Sequence, residues 1–148
     1  MIYLAEMVEI YRHLEDLAQL AGLIDDMPEL PRTQRMQEDL DELAPGYQVE
    51  STPATRNYLD HLSTLYESDR PGDIFAHIYV RHLGDMYGGK LIARRVPGTG
   101  RWYEFDNRAD LIKRFNAKLS MDLAPEALTA FDHFSNIFQD LWLKIHKK

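Results

Sequence analysis

Apolar residues recur at spacings of three and four through the first stretch of the chain, at Leu4, Met7, Val8, Tyr11, Leu14, Leu17, Ala18 and Ala21. That period predicts a helix from Ile2 to Leu23 with one buried stripe, and Gly22 suits its end. The segment Asp25–Pro31 carries two prolines and reads as a loop. Thr33 can then cap a second helix through about Leu43, closed by Pro45-Gly46. Ser51-Thr52-Pro53 opens a third helix, since proline is tolerated in a first turn, and Tyr58, Leu59, Leu62 and Leu65 supply its stripe. Arg70-Pro71-Gly72-Asp73 separates it from a fourth helix, placed from about Asp73 to Arg95. After the turn Pro97–Gly100 comes Trp102–Phe105, a short extended piece at most, and then helices from about Arg108 to Leu119 and Pro125 to Lys144. No two segments read as paired strands, so the expected class is an all-α bundle of about six helices.

A chain of 148 residues, 45% hydrophobic and 28% charged, is the size of one domain, expected over residues 1–148. Its formal charge of −7 argues against a nucleic-acid partner, because gripping a phosphate backbone needs a basic face. The absence of cysteine removes disulfides and thiolate nucleophiles, and leaves histidine and carboxylates as the only zinc ligands. No apolar run reaches the roughly 20 residues needed to cross a bilayer. The opening residues carry Glu6 and Glu9 with no basic start, so neither a signal peptide nor a membrane partner is expected, and the cytoplasm is the expected location.

The fourth helix holds an unusual feature. Gly84, Gly88 and Gly89 lie inside its apolar pattern, although each glycine costs roughly 1 kcal/mol relative to alanine there. Tight helix packing, or an early helix end at Gly88-Gly89, would explain them. So would the close approach of a flat ligand to the backbone. Gly84 and Gly88 share a face, and Arg81 and Asp85, also four apart, can meet on the helix surface beside them.

The segment Ala76-His77-Ile78-Tyr79-Val80-Arg81-His82-Leu83-Gly84-Asp85-Met86-Tyr87-Gly88-Gly89 resembles the haem oxygenase pattern A-H-x-Y-x-R-Y-L-G-D-x-x-G-G, with His82 where the family usually has tyrosine. Upstream, Ile10–Glu15, Pro28-Glu29-Leu30 with Glu38-Asp39-Leu40, and Thr52-Pro53-Ala54-Thr55 resemble further family segments in the same order. Downstream, Ala130-Phe131, Phe138 and Leu141 fall at the spacing of the family's last helix.

The resemblance implies a distal helix lying over haem. Gly84, Gly88 and Gly89 would allow close approach, and Asp85 would organise waters that deliver protons. Tyr11 and Arg81 match members of the distal polar network, and Tyr79 matches a tyrosine near the haem propionates. Each also has an ordinary reading, the tyrosines as core aromatics and Arg81 as a partner of Asp85. Lys113, Arg114 and Lys118 can meet propionates or form a solvated face. Phe131, Phe134 and Phe138 can line a haem edge or form plain core.

The likeness begins at the family's third helix. The helix bearing the family's iron-ligating histidine has no counterpart, so the domain is expected to be shortened at its N-terminus and the metal ligand is left unassigned. His13 points about 160° away from Tyr11 around a helix of 3.6 residues per turn, and His82 faces similarly away from Gly84. His61, His133 and His146 read as surface or core residues, and His77 occurs in the family without ligating iron.

Three functions follow as expectations. The first is cleavage of haem, as substrate and cofactor, to biliverdin, carbon monoxide and iron, with electrons from a ferredoxin or a reductase. The second is a binding protein that keeps the scaffold without the reaction and forms homo-oligomers through its uncovered N-terminal face. The third is a non-haem di-iron oxidase, prompted by the i, i+4 pairs Glu9/His13 and Asp73/His77.

Overall fold

In the computed structural model, which describes residues 1–146 apart from the side chain of Lys90, helix α1 (Ile2–Leu20) runs through the middle of the molecule. Helices α2 (Thr33–Leu43), α3 (Pro53–Glu67), α4 (Ile74–Ile78) and α7 (Ala124–His146) pack against it. Helix α1 buries Met7, Val8, Tyr11, Leu14, Leu17 and Ala18 of the predicted stripe and, beyond it, Ala5 and Ile10. At roughly 1.5–3 kcal/mol per large apolar side chain, this helix anchors the core. It ends three residues before Leu23. Gly22 adopts φ +70°, and the amides of Gly22 and Leu23 bond back to the carbonyls of Gln19 and Ala18. That left-handed Schellman ending satisfies carbonyls a straight helix would leave open.

Helix α3 begins as the sequence predicts. The Thr52 side chain accepts from the Thr55 amide, with Pro53 in the first turn. Buried Glu6 of α1 accepts from both the amide and the hydroxyl of Thr52, at 2.8 and 3.0 Å. Asp140 of α7 takes the Ala54 amide at 2.9 Å, so the start of α3 is pinned from two sides.

The glycine-bearing segment is not one regular helix. Helix α4 passes into a π-helical turn, Tyr79–Leu83, before α5 (Gly84–Ala93) resumes regular winding. The Trp102 segment also departs from expectation. Arg101–Tyr103 forms a 3₁₀ turn, set up by Gly100 at φ +71° and held by Asp39, which accepts the amides of Arg101 and Trp102. Behind it, fully buried Arg32 donates to the carbonyls of Trp102, Glu104, Leu30 and Glu29. Helix α6 (Arg108–Asn116) stops before Leu119, and α7 completes an all-helical architecture with no strand among the described residues. No described helix is long and apolar enough to cross a membrane.

Candidate active site

The π turn decides how the site is built. An i, i+4 pair meets on a regular helix, but the wider turn lies between Arg81 and Asp85, and the two do not pair directly. Tyr11 stands between them instead. Its hydroxyl donates to Asp85 Oδ2 at 2.5 Å and accepts from Arg81 Nε at 3.2 Å. The guanidinium also reaches the Tyr3 hydroxyl at 3.3 Å and lies 4.8 Å from the Phe134 ring.

Asp85 Oδ2 takes a second bond, 3.0 Å from the indole Nε1 of Trp102. Sequence reasoning missed Trp102 and Tyr3. The available signal for Trp102 was that a buried indole N–H needs an acceptor. Burial raises the Asp85 carboxyl above the ordinary aspartate range, against the opposing pull of Arg81 and the bonds from Tyr11 and Trp102. Burial, with the Asp85 charge beside it, likewise raises the Tyr11 hydroxyl, so Tyr11 stays a donor. Among the described residues no donor engages Oδ1.

The glycines divide into two kinds. A Cβ placed on exposed Gly84 meets nothing within 4 Å, and one on Gly88 meets only the tip of Ile92 at 3.6 Å. A Cβ on buried Gly89 would lie 3.1 Å from the Cβ of Tyr103. Gly84 thus leaves the helix surface open beside Asp85, whereas Gly89 admits the 3₁₀ turn that carries Trp102.

The other predicted residues are spread out. Tyr79 is half-buried beside a cleft lined by Leu119, Met121, Leu123 and Ala127. Lys113 is exposed, while Arg114 of α6 pairs with Glu29 and Lys118, just past the helix, with Asp26. Phe134 is core, but Phe131 is 55% exposed and Phe138 43%. Tyr3 stacks between Trp102 and Phe138, with centroids 6.1 and 6.2 Å away, and so links the network to α7. Leu128, Phe131, Phe138, Trp142 and Ile145 form a second, exposed apolar stripe on α7, about a quarter-turn round the helix from the buried one.

Most histidines are engaged elsewhere. His82 is fully buried and bonds Glu15 at 2.7 Å, and His13 meets Ser63 at 2.8 Å. His61 and His77 converge on Glu126, and His146 bonds the Trp142 carbonyl. The expected di-iron pairs do not assemble: Glu9 pairs with Arg12 and Asp73 with Arg70. The residues present therefore fit the distal face of a haem, with an open glycine backbone and a fixed polar network. The remaining histidine, His133, packs its ring against Tyr58 and His61.

The class defined by these features is an all-helical bundle with an exposed glycine, Gly84, beside a buried aspartate, and comparison with known proteins narrows it. The chain matches the family described as "Heme oxygenase" over residues 2–144, and it belongs to that family. It is 38% identical over 91 residues to heme oxygenase 2 of Synechocystis sp., covering 54% of this chain and 36% of the relative. To heme oxygenase 2 of Oryctolagus cuniculus it is 28% identical over 115 residues, covering 64% of this chain and 36% of the relative. The matched stretch thus spans about a third of these relatives' length. The structure of heme oxygenase from Leptospira interrogans shares the fold, with TM-score 0.79 at 23% identity, covering 91% of this chain and 79% of that one. The crystal structure of Synechocystis heme oxygenase-2 in complex with heme and NO superposes with TM-score 0.74 at 29% identity, covering 93% and 69%.

Proposed function

We propose that this protein binds haem against the Gly84 end of α5 and opens it oxidatively to biliverdin, carbon monoxide and iron, in the cytoplasm, with electrons from a ferredoxin or a reductase. The observation that carries this reading is the junction of Asp85 and Gly84: a buried carboxylate fixed through Oδ2 by Tyr11 and Trp102, beside a backbone surface no side chain covers. When bound, haem supplies the redox iron and is itself the ring that is oxidised.

The chain's own residues hold and move protons. Arg81 donates to the Tyr11 oxygen, which turns the Tyr11 O–H toward Asp85. With Oδ2 taken twice, Oδ1 is the atom that handles protons through an ordered water, and its raised affinity suits it to take and return them. Gly84 and Gly88 admit the macrocycle. In this reading Phe131 lines its edge, and Tyr79, with exposed Lys113, meets the propionates. Gly89 acts one step back, through the packing of Tyr103.

Titration of the purified protein with haem should give a one-to-one complex with a Soret band, and a reduced donor should convert it to a verdin. No spectral change at stoichiometric haem overturns the reading. A second reading, a scaffold that binds a partner or its own copy, is favoured by the exposed stripe on α7. Light scattering with and without haem separates the two, because a monomer that turns haem over removes the second.

A further inference from the structure

Away from the glycine ridge, three helices bring histidine and glutamate side chains to one point. His61 of α3 and His77 of α4 both direct Nε2 at the same oxygen, Oε1 of Glu126 in the first turn of α7, at 2.6 and 2.8 Å. The three potential ligand atoms lie within 4.8 Å of one another. Their sequence separations of 49 and 65 residues from Glu126 mean that tertiary packing assembles the cluster. His133, two turns beyond Glu126 on α7, has its ring 4.9 Å from that of His61 and adds a nitrogen at the edge of the group.

We propose that His61, His77 and Glu126 form a binding site for a divalent transition-metal ion of the zinc type, separate from the haem pocket. Imidazole nitrogen and carboxylate oxygen are the donors that zinc accepts, and three protein ligands leave one coordination position open. Ligand bonds of about 2.0–2.1 Å in a tetrahedron place the donor atoms about 3.3 Å apart, so each nitrogen, now 2.6 or 2.8 Å from the Glu126 oxygen, needs to draw back from it by about 0.5–0.7 Å, with the two nitrogens themselves already within 4.8 Å of each other.

The surroundings suit this use. His77 is fully buried, and the Tyr58 hydroxyl meets its Nδ1 at 2.7 Å. A hydroxyl both donates and accepts. Tyr58 can therefore donate to Nδ1 when Nε2–H bonds Glu126, or accept from Nδ1–H when the Nε2 lone pair binds metal. Such outer partners fix the tautomer and orientation of metal-bound histidines. His61 and Glu126 are partly exposed, at 31% and 18% of their side chains, and give an ion a way in. A bound ion would join α3, α4 and the start of α7, and α4 leads directly into the π turn that carries Arg81.

The test uses the full chain, stripped of metal with chelator and titrated with Co²⁺, then Zn²⁺. One Co²⁺ per chain should bind with the visible absorption of four-coordinate cobalt, and Zn²⁺ should displace it. At a hundredfold excess over Kd, Zn²⁺ should raise Tm by about 5 °C or more. His61→Gln and Glu126→Gln should each weaken binding by about tenfold or more, while His146→Gln leaves it unchanged. Nitrogen NMR of the wild-type imidazoles reports the same contact without a variant, through Zn²⁺-dependent shifts of His61 and His77 Nε2. Absence of saturable Co²⁺ absorption, or binding that survives both variants with those nitrogens unshifted, overturns the proposal.

Discussion

Glu15 and Asp85 are buried carboxylates on either side of one aromatic contact, the rings of Tyr11 and His82 with centroids 4.9 Å apart, yet their surroundings act in opposite directions. Glu15 is saturated. It accepts from the amides of Arg32 and Thr33, the Thr33 hydroxyl and His82, at 2.6 to 3.0 Å. Burial alone would raise its carboxyl, but these bonds and the His82 charge overcome it and leave the net shift downward. Asp85 keeps both its bonds on one oxygen, and burial wins, so its shift is upward. Under the proposed function, the difference separates an acid that serves the fold from one left for chemistry. A fully bonded carboxylate is fixed in its charged form, whereas an under-bonded one remains ready to exchange a proton.

The largest effect expected is the loss of Glu15. Glu15→Ala leaves His82 and two amides without their acceptor in the core and should cost about 3–5 kcal/mol, read from urea unfolding. Asp85→Asn is its counterpart and should change stability by no more than about 1 kcal/mol. If the two variants lose equal stability, the division of labour is wrong.

The functional side of the comparison comes next. Asp85→Asn should lower verdin formation by about 100-fold while the Soret titration still saturates, because the amide can keep the bonds from Tyr11 and Trp102 but cannot cycle a proton. An unchanged rate would remove Asp85 from the mechanism and leave only its packing.

The two acids also predict opposite pH profiles. Glu15 has a folded-state value below its ordinary 4.5, so its stabilisation is complete above that pH and is lost as pH falls through the lower folded value. Asp85 has a folded-state value above its ordinary 3.8. Between the two, the native state holds a proton the unfolded chain has released, and stability falls as pH rises. The deficit of Glu15→Gln should therefore shrink in acid. Asp85→Asn should equal or exceed the wild type at neutral pH and lose that advantage below the aspartate range. Unfolding midpoints from pH 3 to 8, about one unit apart, give both slopes.

The helices were open to sequence reading, and most of the bonds around the two acids were not. The stripe from Leu4 to Ala18 and the Thr52-Pro53 helix start follow from local periodicity and capping, and the structure keeps them. The glycine motif placed Gly84, Asp85, Gly88 and Gly89 on one helix, as the structure has them. The expected Arg81–Asp85 pair failed because i, i+4 reasoning assumes regular winding, and nothing local in Tyr79–Leu83 announces a π turn. Trp102 escaped because its partner is 17 residues away, through a turn held in place by buried Arg32 and Asp39 from distant parts of the chain. The same holds for His61, His77 and Glu126, whose meeting depends on how three helices pack.

The glycines carry the comparison to its smallest scale. Gly89→Ala places a methyl 3.1 Å from the Tyr103 Cβ, and both atoms are fixed to backbone. The 3₁₀ turn must shift, at about 1–2 kcal/mol, and Trp102 moves with it, so Asp85 loses a donor and turnover falls along with stability. Gly84→Ala meets open space in a helical conformation, φ −60° and ψ −42°. It should gain up to about 1 kcal/mol from helix propensity while weakening haem binding, because its methyl stands where the macrocycle is proposed to lie. Paired melting curves and haem titrations decide the matter. A Gly84→Ala protein that is more stable yet binds haem less well marks that surface as kept open for a ligand, and one that binds haem as tightly as the wild type moves the macrocycle away from Gly84.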